Sequence, residues 1–304
     1  MTVETAYRPS EADIKPFKRN EVKYRVLRWW VEHLPANIEV KGLENIQKTR
    51  ELLDEGRYVT ALGNHKGIGD TYDIFSAAIQ YDFEDLIKKT YFGMSVKYTK
   101  GPSRFLMTGV IDFAEIVPHT VTNYPNRGKI NAIAKFRQQN REPGTIWETM
   151  PEGARVEGKM QKARWGASDY WHGENDSTDN RWFVPAAIQG TEDQLPKGSG
   201  FKGVLRFLFK GGRKIPARFI FGEPVRVDYV DKMAECYSDG NPDKLKSLRV
   251  DLVMLFVTRL QLKNGGKKYV SEEDLKLIEE LKNHPLSQVL NRLGYSGSPE
   301  NQSV

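Results

Sequence analysis

The stretch Tyr58-Val59-Thr60-Ala61-Leu62-Gly63-Asn64-His65-Lys66-Gly67-Ile68-Gly69-Asp70 decides the fold. Tyr58–Leu62 is apolar and β-prone and stops at Gly63, which reads as a buried strand. A loop broken by Gly67 and Gly69 follows, and Thr71–Gln80 then takes up helical spacing. Strand, glycine-containing loop and helix in this order are the unit of an α/β sheet.

The pattern repeats on both sides. Upstream, Ile38–Val40 reads as a short strand and Leu43–Leu53 as a helix. Downstream come an apolar run at Val110–Val117 ended by Pro118, a helix at Lys129–Gln139 closed by Pro143 and Gly144, and strands at Thr145–Thr149, Phe183–Ile188 and Ala217–Phe221. The predicted architecture is α/β: a central, mostly parallel sheet flanked by helices.

Two segments flank this alternation. Residues 18–34 predict an N-terminal amphipathic helix, with Val22, Val26, Trp29, Trp30 and Leu34 on one face and Lys18, Arg19, Lys23, Arg25 and Arg28 around it. Such a helix either packs on the core or lies in a membrane interface. At the other end, Asn241-Pro242 opens a helix reaching Leu262, and Asn264-Gly265-Gly266 stops it. Ser271 with Asp274 resembles a capping box opening another helix. The expected division is a lead-in and amphipathic helix at 1–37, a core at 38–229 and a C-terminal helical extension at 230–304. Residues 157–182 read as a polar loop.

Composition bounds the function classes. With 39% hydrophobic and 28% charged residues, the 304-residue chain can form a packed core. No apolar run approaches the roughly 18–20 residues that span a bilayer. The polar N-terminus does not resemble a secretory signal, and the one cysteine, Cys236, excludes an internal disulfide. A cytoplasmic protein is expected. The net charge of +6 points to an anionic partner without choosing one.

Functional groups of open α/β folds sit in loops beyond the C-terminal strand ends, and three loops qualify. In Gly63–Asp70, glycines let the chain turn back so that Asp70 can accept from one imidazole nitrogen of His65 and leave the other free as a base. In Met150-Pro151-Glu152-Gly153-Ala154-Arg155, the arginine can meet a phosphate bidentately. Val184-Pro185-Ala186-Ala187-Ile188 is an apolar strand with proline near its start. Taken singly, these read as a loop histidine beside a helix-capping aspartate, a solvated arginine and a core strand.

Their order changes that reading. N-H-x-x-x-x-D after a buried strand, then P-E-G-x-R about 85 residues on, then V-P-x-A-I, resembles the glycerophospholipid acyltransferase family. Ile38–Asn45 and Phe221-Gly222-Glu223-Pro224-Val225 resemble the segments bounding the family's motifs, so the likeness covers roughly residues 22–226. It implies a sheet flanked by helices, His65 as general base, Asp70 as the residue that orients it, Glu152, Gly153 and Arg155 on the acceptor's phosphate, and Asn64 and Pro185 shaping the site. Ala154 stands where the family usually has threonine. His119 stands near the place of the second motif's arginine, with Arg127 and Lys129 as alternatives for that phosphate contact.

The implied reaction is transfer of a fatty acyl group from acyl-CoA or acyl-carrier protein to a hydroxyl of a phosphate-bearing glycerolipid such as 1-acylglycerol 3-phosphate. Glycerol 3-phosphate and other lysophospholipids are the alternative acceptors, and a thioester hydrolase is the nearest rival enzyme. A thioester is already activated, and the chain lacks G-x-S-x-G, so direct attack without an acyl-enzyme is the simplest course. No cofactor and no metal are expected, since His33, His65, His119, His172 and His284 lack ligand-pair spacing. The expected partners are the acyl donor, the acceptor and an anionic membrane surface, with peripheral docking on its inner face and no nucleic acid. A second basic segment, Leu195–Lys214, offers Phe201, Val204, Leu205, Leu208 and Phe209 as a membrane-facing stripe. Gly198-Ser199-Gly200-Phe201-Lys202-Gly203 follows a polar stretch rather than a strand and reads as a chance match to a dinucleotide fingerprint.

Overall fold

The computed structural model describes residues 9–10, 20–34, 36–66, 69–95, 115–119, 125–150, 159–160, 180–196, 202–203, 206–207, 214–238 and 240–280. Its strands are β1 (Ile38–Lys41), β2 (Tyr58–Gly63), β3 (Thr90–Ser95), β4 (Glu115–His119), β5 (Ile146–Thr149), β6 (Arg181–Gln189), β7 (Ala217–Phe221) and β8 (Val225–Arg226). They form one sheet in the order β1-β7-β6-β2-β5-β3-β4, with β8 beside β6. The pairs from β6 through β2, β5 and β3 to β4 are all parallel. β7 and β8 run antiparallel to β6, and β1 is parallel to β7. The mostly parallel α/β architecture expected from the sequence is therefore present.

Helices cover both faces. On one lie α1 (Glu21–His33), α2 (Leu43–Asp54), α3 (Gly69–Gln80) and α4 (Glu84–Lys88). Leu27, Leu53 and Phe75 from this layer share a core with Val59, Ile146, Val184 and Ile188 of the sheet. On the other lie α5 (Arg127–Gln139), α7 (Val227–Ser238) and α8 (Pro242–Lys263). There Leu62, Phe183, Ala187 and Ile220 meet Val253, Phe256 and Val257 of α8, and Ala134 of α5 meets Val117 and Trp147. The short α6 (Thr191–Gln194) follows β6, and α9 (Glu272–Glu280) follows a 3-10 turn at Lys267–Tyr269.

Helix α8 lies inside the protein. Every residue from Leu252 to Leu262 is buried, the polar Thr258, Arg259 and Gln261 included. Asn241 caps its start by accepting from the Asp243 N–H at 3.0 Å. At α9, Ser271 accepts from the Asp274 N–H and donates to its carboxylate. Within the described part of the C-terminal segment, residues of α7, α8 and α9 contribute to the core.

Two expectations need correction. The β4 strand does not end before Pro118 but runs on to His119. It is the edge of the sheet, where a residue without an N–H is tolerated. In α1, Trp30 does not share a face with Val22, Val26 and Trp29. Tyr24, Leu27 and Val31 form the buried face, and Trp30 is half-buried with its ring edge-on to Tyr72 of α3 at 6.4 Å.

Candidate active site

Strand β2 lies at the centre of the sheet order, between β6 and β5, and its C-terminal end delivers Asn64, His65 and Lys66. Asp70 sits in the first turn of α3, where the exposed N–H dipoles favour a negative charge. His65 Nδ1 lies 2.8 Å from Asp70 Oδ2. A carboxylate only accepts, so Nδ1–H donates and Nε2 is left as the basic nitrogen. The same oxygen accepts from the Lys66 N–H at 2.8 Å, closing the loop. The His65 side chain retains 24% of its surface while that of Asp70 is buried. The Asp70 carboxylate is thus shielded, and part of the His65 side chain stays accessible.

Thr191 supplies a further contact that the sequence did not disclose. Its hydroxyl, on α6 after β6, donates to Asp70 Oδ1. Both Asp70 oxygens are thereby held by the fold. The residue lies two positions beyond the end of β6, and no local spacing signals the contact.

Asn64 is fully buried and fixes the loop to β6. Its amide donates to the Ile188 carbonyl at 2.9 Å and accepts the Ile188 N–H at 2.8 Å. Pro185 lies in β6 opposite Leu62 of β2. Its carbonyl accepts the Gly222 N–H at 2.8 Å, on the side where β6 changes partner from β8 to β7.

The strands that carry the three motifs are direct neighbours. β5, which leads into the P-E-G-A-R segment, lies on one side of β2, and β6 lies on the other. Glu152, Gly153 and Arg155 themselves lie outside the described residues. Thr149, just before them, is paired with Leu62 of β2. His119 ends β4, three strand spacings from β2, or roughly 14 Å at about 4.8 Å each. Arg127 and Lys129 open α5 and are exposed. The structure therefore does not gather these second-motif candidates at His65 through the sheet itself.

A carboxyl group near the pair also escaped the sequence reading. Glu148 of β5 is paired with Ala61 of β2 and Phe92 of β3, and faces the same side as Ile146. Burial of its carboxyl and the nearby Asp70 charge push its pKa up to about 8. The two carboxyl groups thus differ: Asp70 is hydrogen-bonded on both oxygens, and Glu148 favours its proton. Among the described residues no three His, Cys, Asp or Glu side chains gather as a metal-binding group.

No family model matches this chain, and no curated protein matches it. The likeness to glycerophospholipid acyltransferases rests on the motif residues themselves. The arrangement can deprotonate a hydroxyl or a water held at His65 Nε2, in a loop at the C-terminal edge of a parallel sheet.

Proposed function

We propose that this protein is an acyltransferase that moves a fatty acyl group from an acyl thioester to a hydroxyl of a phosphate-bearing glycerolipid. The observation that carries the reading is the His65–Asp70 pair, with Nδ1 held at 2.8 Å and the His65 side chain 24% exposed. An alcohol is a weak nucleophile at neutral pH, and a base that takes its proton as the bond forms lowers the barrier. His65 takes that proton, the alkoxide-like oxygen attacks the thioester carbonyl, and the thiolate leaves and is protonated. Asp70 keeps the imidazole in the tautomer this requires. Adjacency of the first, third and fourth motif strands supports a single site in which Arg155 meets the acceptor's phosphate.

A lysolipid acceptor resides in a bilayer. Among the described residues no helix is long and apolar enough to cross one, so docking on the surface is part of the proposal. Helix α1 supports it. Val22, Val26 and Trp29 are 72%, 61% and 58% exposed, and Arg25 lines the same shallow groove. Apolar side chains with a tryptophan and a cation beside them fit an anionic interface. The second segment considered for docking lies largely outside the described residues, including Phe201, Val204, Leu205, Leu208 and Phe209; within it Phe207 is buried against Tyr72.

The test is thiol release from an acyl thioester with identification of the acylated product. Release that needs no acceptor would mark a hydrolase instead.

A further inference from the structure

Tyr269, in the C-terminal segment outside the family likeness, contacts residues beside the first and fourth motifs. Its ring lies under the buried Lys66 ammonium, 4.7 Å from ring centre to Nζ, directly after His65. Its hydroxyl accepts the Gly190 N–H at 3.1 Å, next to the Thr191 that holds Asp70. Its carbonyl accepts the Met160 N–H at 2.6 Å, five residues beyond Arg155.

The turn that presents Tyr269 is itself tied to the loop. Gln261, fully buried in the last turns of α8, donates to Asn64 Oδ1 at 3.1 Å and to the Ile188 carbonyl at 3.2 Å. It accepts from Gln189 Nε2 at 2.7 Å. Gly266 packs onto these amides so closely that a Cβ there would collide with Gln189 and Gln261. Asn64, His65, Lys66 and Thr191 are thus backed by one buried polar assembly from α8 and the turn after it. A buried polar group left without its partner costs more than the bond contributes, so such an assembly favours one arrangement.

We propose that the Gln261–Tyr269 segment is a brace for the catalytic loop, with Tyr269 as a positioning residue that fixes His65 through Lys66 and Asp70 through Thr191. Its catalytic consequence rests on the acyltransferase reading; its structural consequence at His65 does not. Small displacements of a reacting group, caused from a distance, can cost about 10²-fold in rate.

The experiment compares wild type, Tyr269→Phe and Tyr269→Leu on two readouts, all as the full chain. The first is kcat per folded molecule and thioester KM in the transfer assay. The second, free of any substrate, is the far-downfield proton resonance of His65 Nδ1–H, assigned by its absence in His65→Ala. Tyr269→Leu should lower kcat about 10²-fold with thioester KM unchanged, and should shift or erase the resonance. Tyr269→Phe keeps the ring under Lys66 but loses the Gly190 bond, and should fall between. A merely structural tyrosine would lower thermal stability and leave both readouts at wild-type values in folded protein, which overturns the brace. If Tyr269→Leu does not fold, Tyr269→Phe decides on the same readouts. If the wild type transfers no acyl group, the resonance alone decides: a change supports the brace while the proposed activity falls, and no change overturns it.

Discussion

Thr191 donates its hydroxyl to Asp70, the carboxylate that also accepts from His65, although 121 positions separate Thr191 from Asp70. A charge-assisted bond of this kind is worth about 1.5–3 kcal/mol when one partner is removed. Thr191→Val should therefore lower stability by about that amount and slow turnover, because Asp70 gains freedom to rotate away from His65. Thr191→Ser keeps the hydroxyl and should recover most of both. Thermal melts and kcat measured side by side check this, and a fully active Thr191→Val would remove Thr191 from the site.

Asp70→Asn is the companion change. The amide can present its NH₂ to His65 and disturb the tautomer, an effect worth about 10⁴ in a comparable His–Asp pairing. Turnover should fall by several orders of magnitude with the fold preserved. A loss of less than about tenfold would show that Asp70 serves mainly as the first-turn acid of α3.

Glu148 makes a pH-dependent prediction. Its folded pKa is raised from 4.5 to about 8 by burial and by Asp70. The folded state therefore holds a proton that the unfolded chain releases above about pH 4.5, and stability falls as pH rises from there to about 8. Glu148→Gln removes the cost of the charged form. The melting temperature of the variant should match wild type near pH 4–5 and exceed it by a growing margin up to pH 8–9. Parallel melting curves across that range would contradict the assignment.

The exposed face of α1 is tested by flotation with anionic vesicles. Each cation near such a surface contributes about 1 kcal/mol, and the apolar side chains add to it. Wild type should float at low salt and release at high salt, while Val26→Ser with Trp29→Ser should float poorly and melt normally, since both side chains face outward. Protein that remains in the soluble fraction at low salt would make a water-soluble acceptor such as glycerol 3-phosphate the better candidate.

The motif strands were legible because each is a compact apolar run bounded by punctuation: Gly63 after β2, Pro143-Gly144 before β5, Gly190 after β6. The ends of α8 were legible from Asn241-Pro242 and Asn264-Gly265. Strand β3 and helix α7 were not: Thr90–Ser95 includes Gly93, and its strand character comes from lying between β5 and β4. Nor was the burial of α8 foreseen, since a sequence states how apolar a helix is but not what encloses it. In the site, His65 and Asp70 are five residues apart and could be read as a pair. Thr191, Gln261 and Tyr269 could not, because only the folded sheet brings them to the loop; Gln261 meets Asn64 across 197 positions.

The most direct test of the central claim is acyl transfer by wild type and His65→Ala from one acyl thioester to a panel of phosphorylated acceptors: 1-acylglycerol 3-phosphate, glycerol 3-phosphate and other lysophospholipids. Thiol release is followed and the product identified. Wild type should release thiol in step with acylated product for at least one acceptor, and folded His65→Ala should show neither. Thiol release without acylated product, or a folded His65→Ala that turns over at the wild-type rate, would contradict the account.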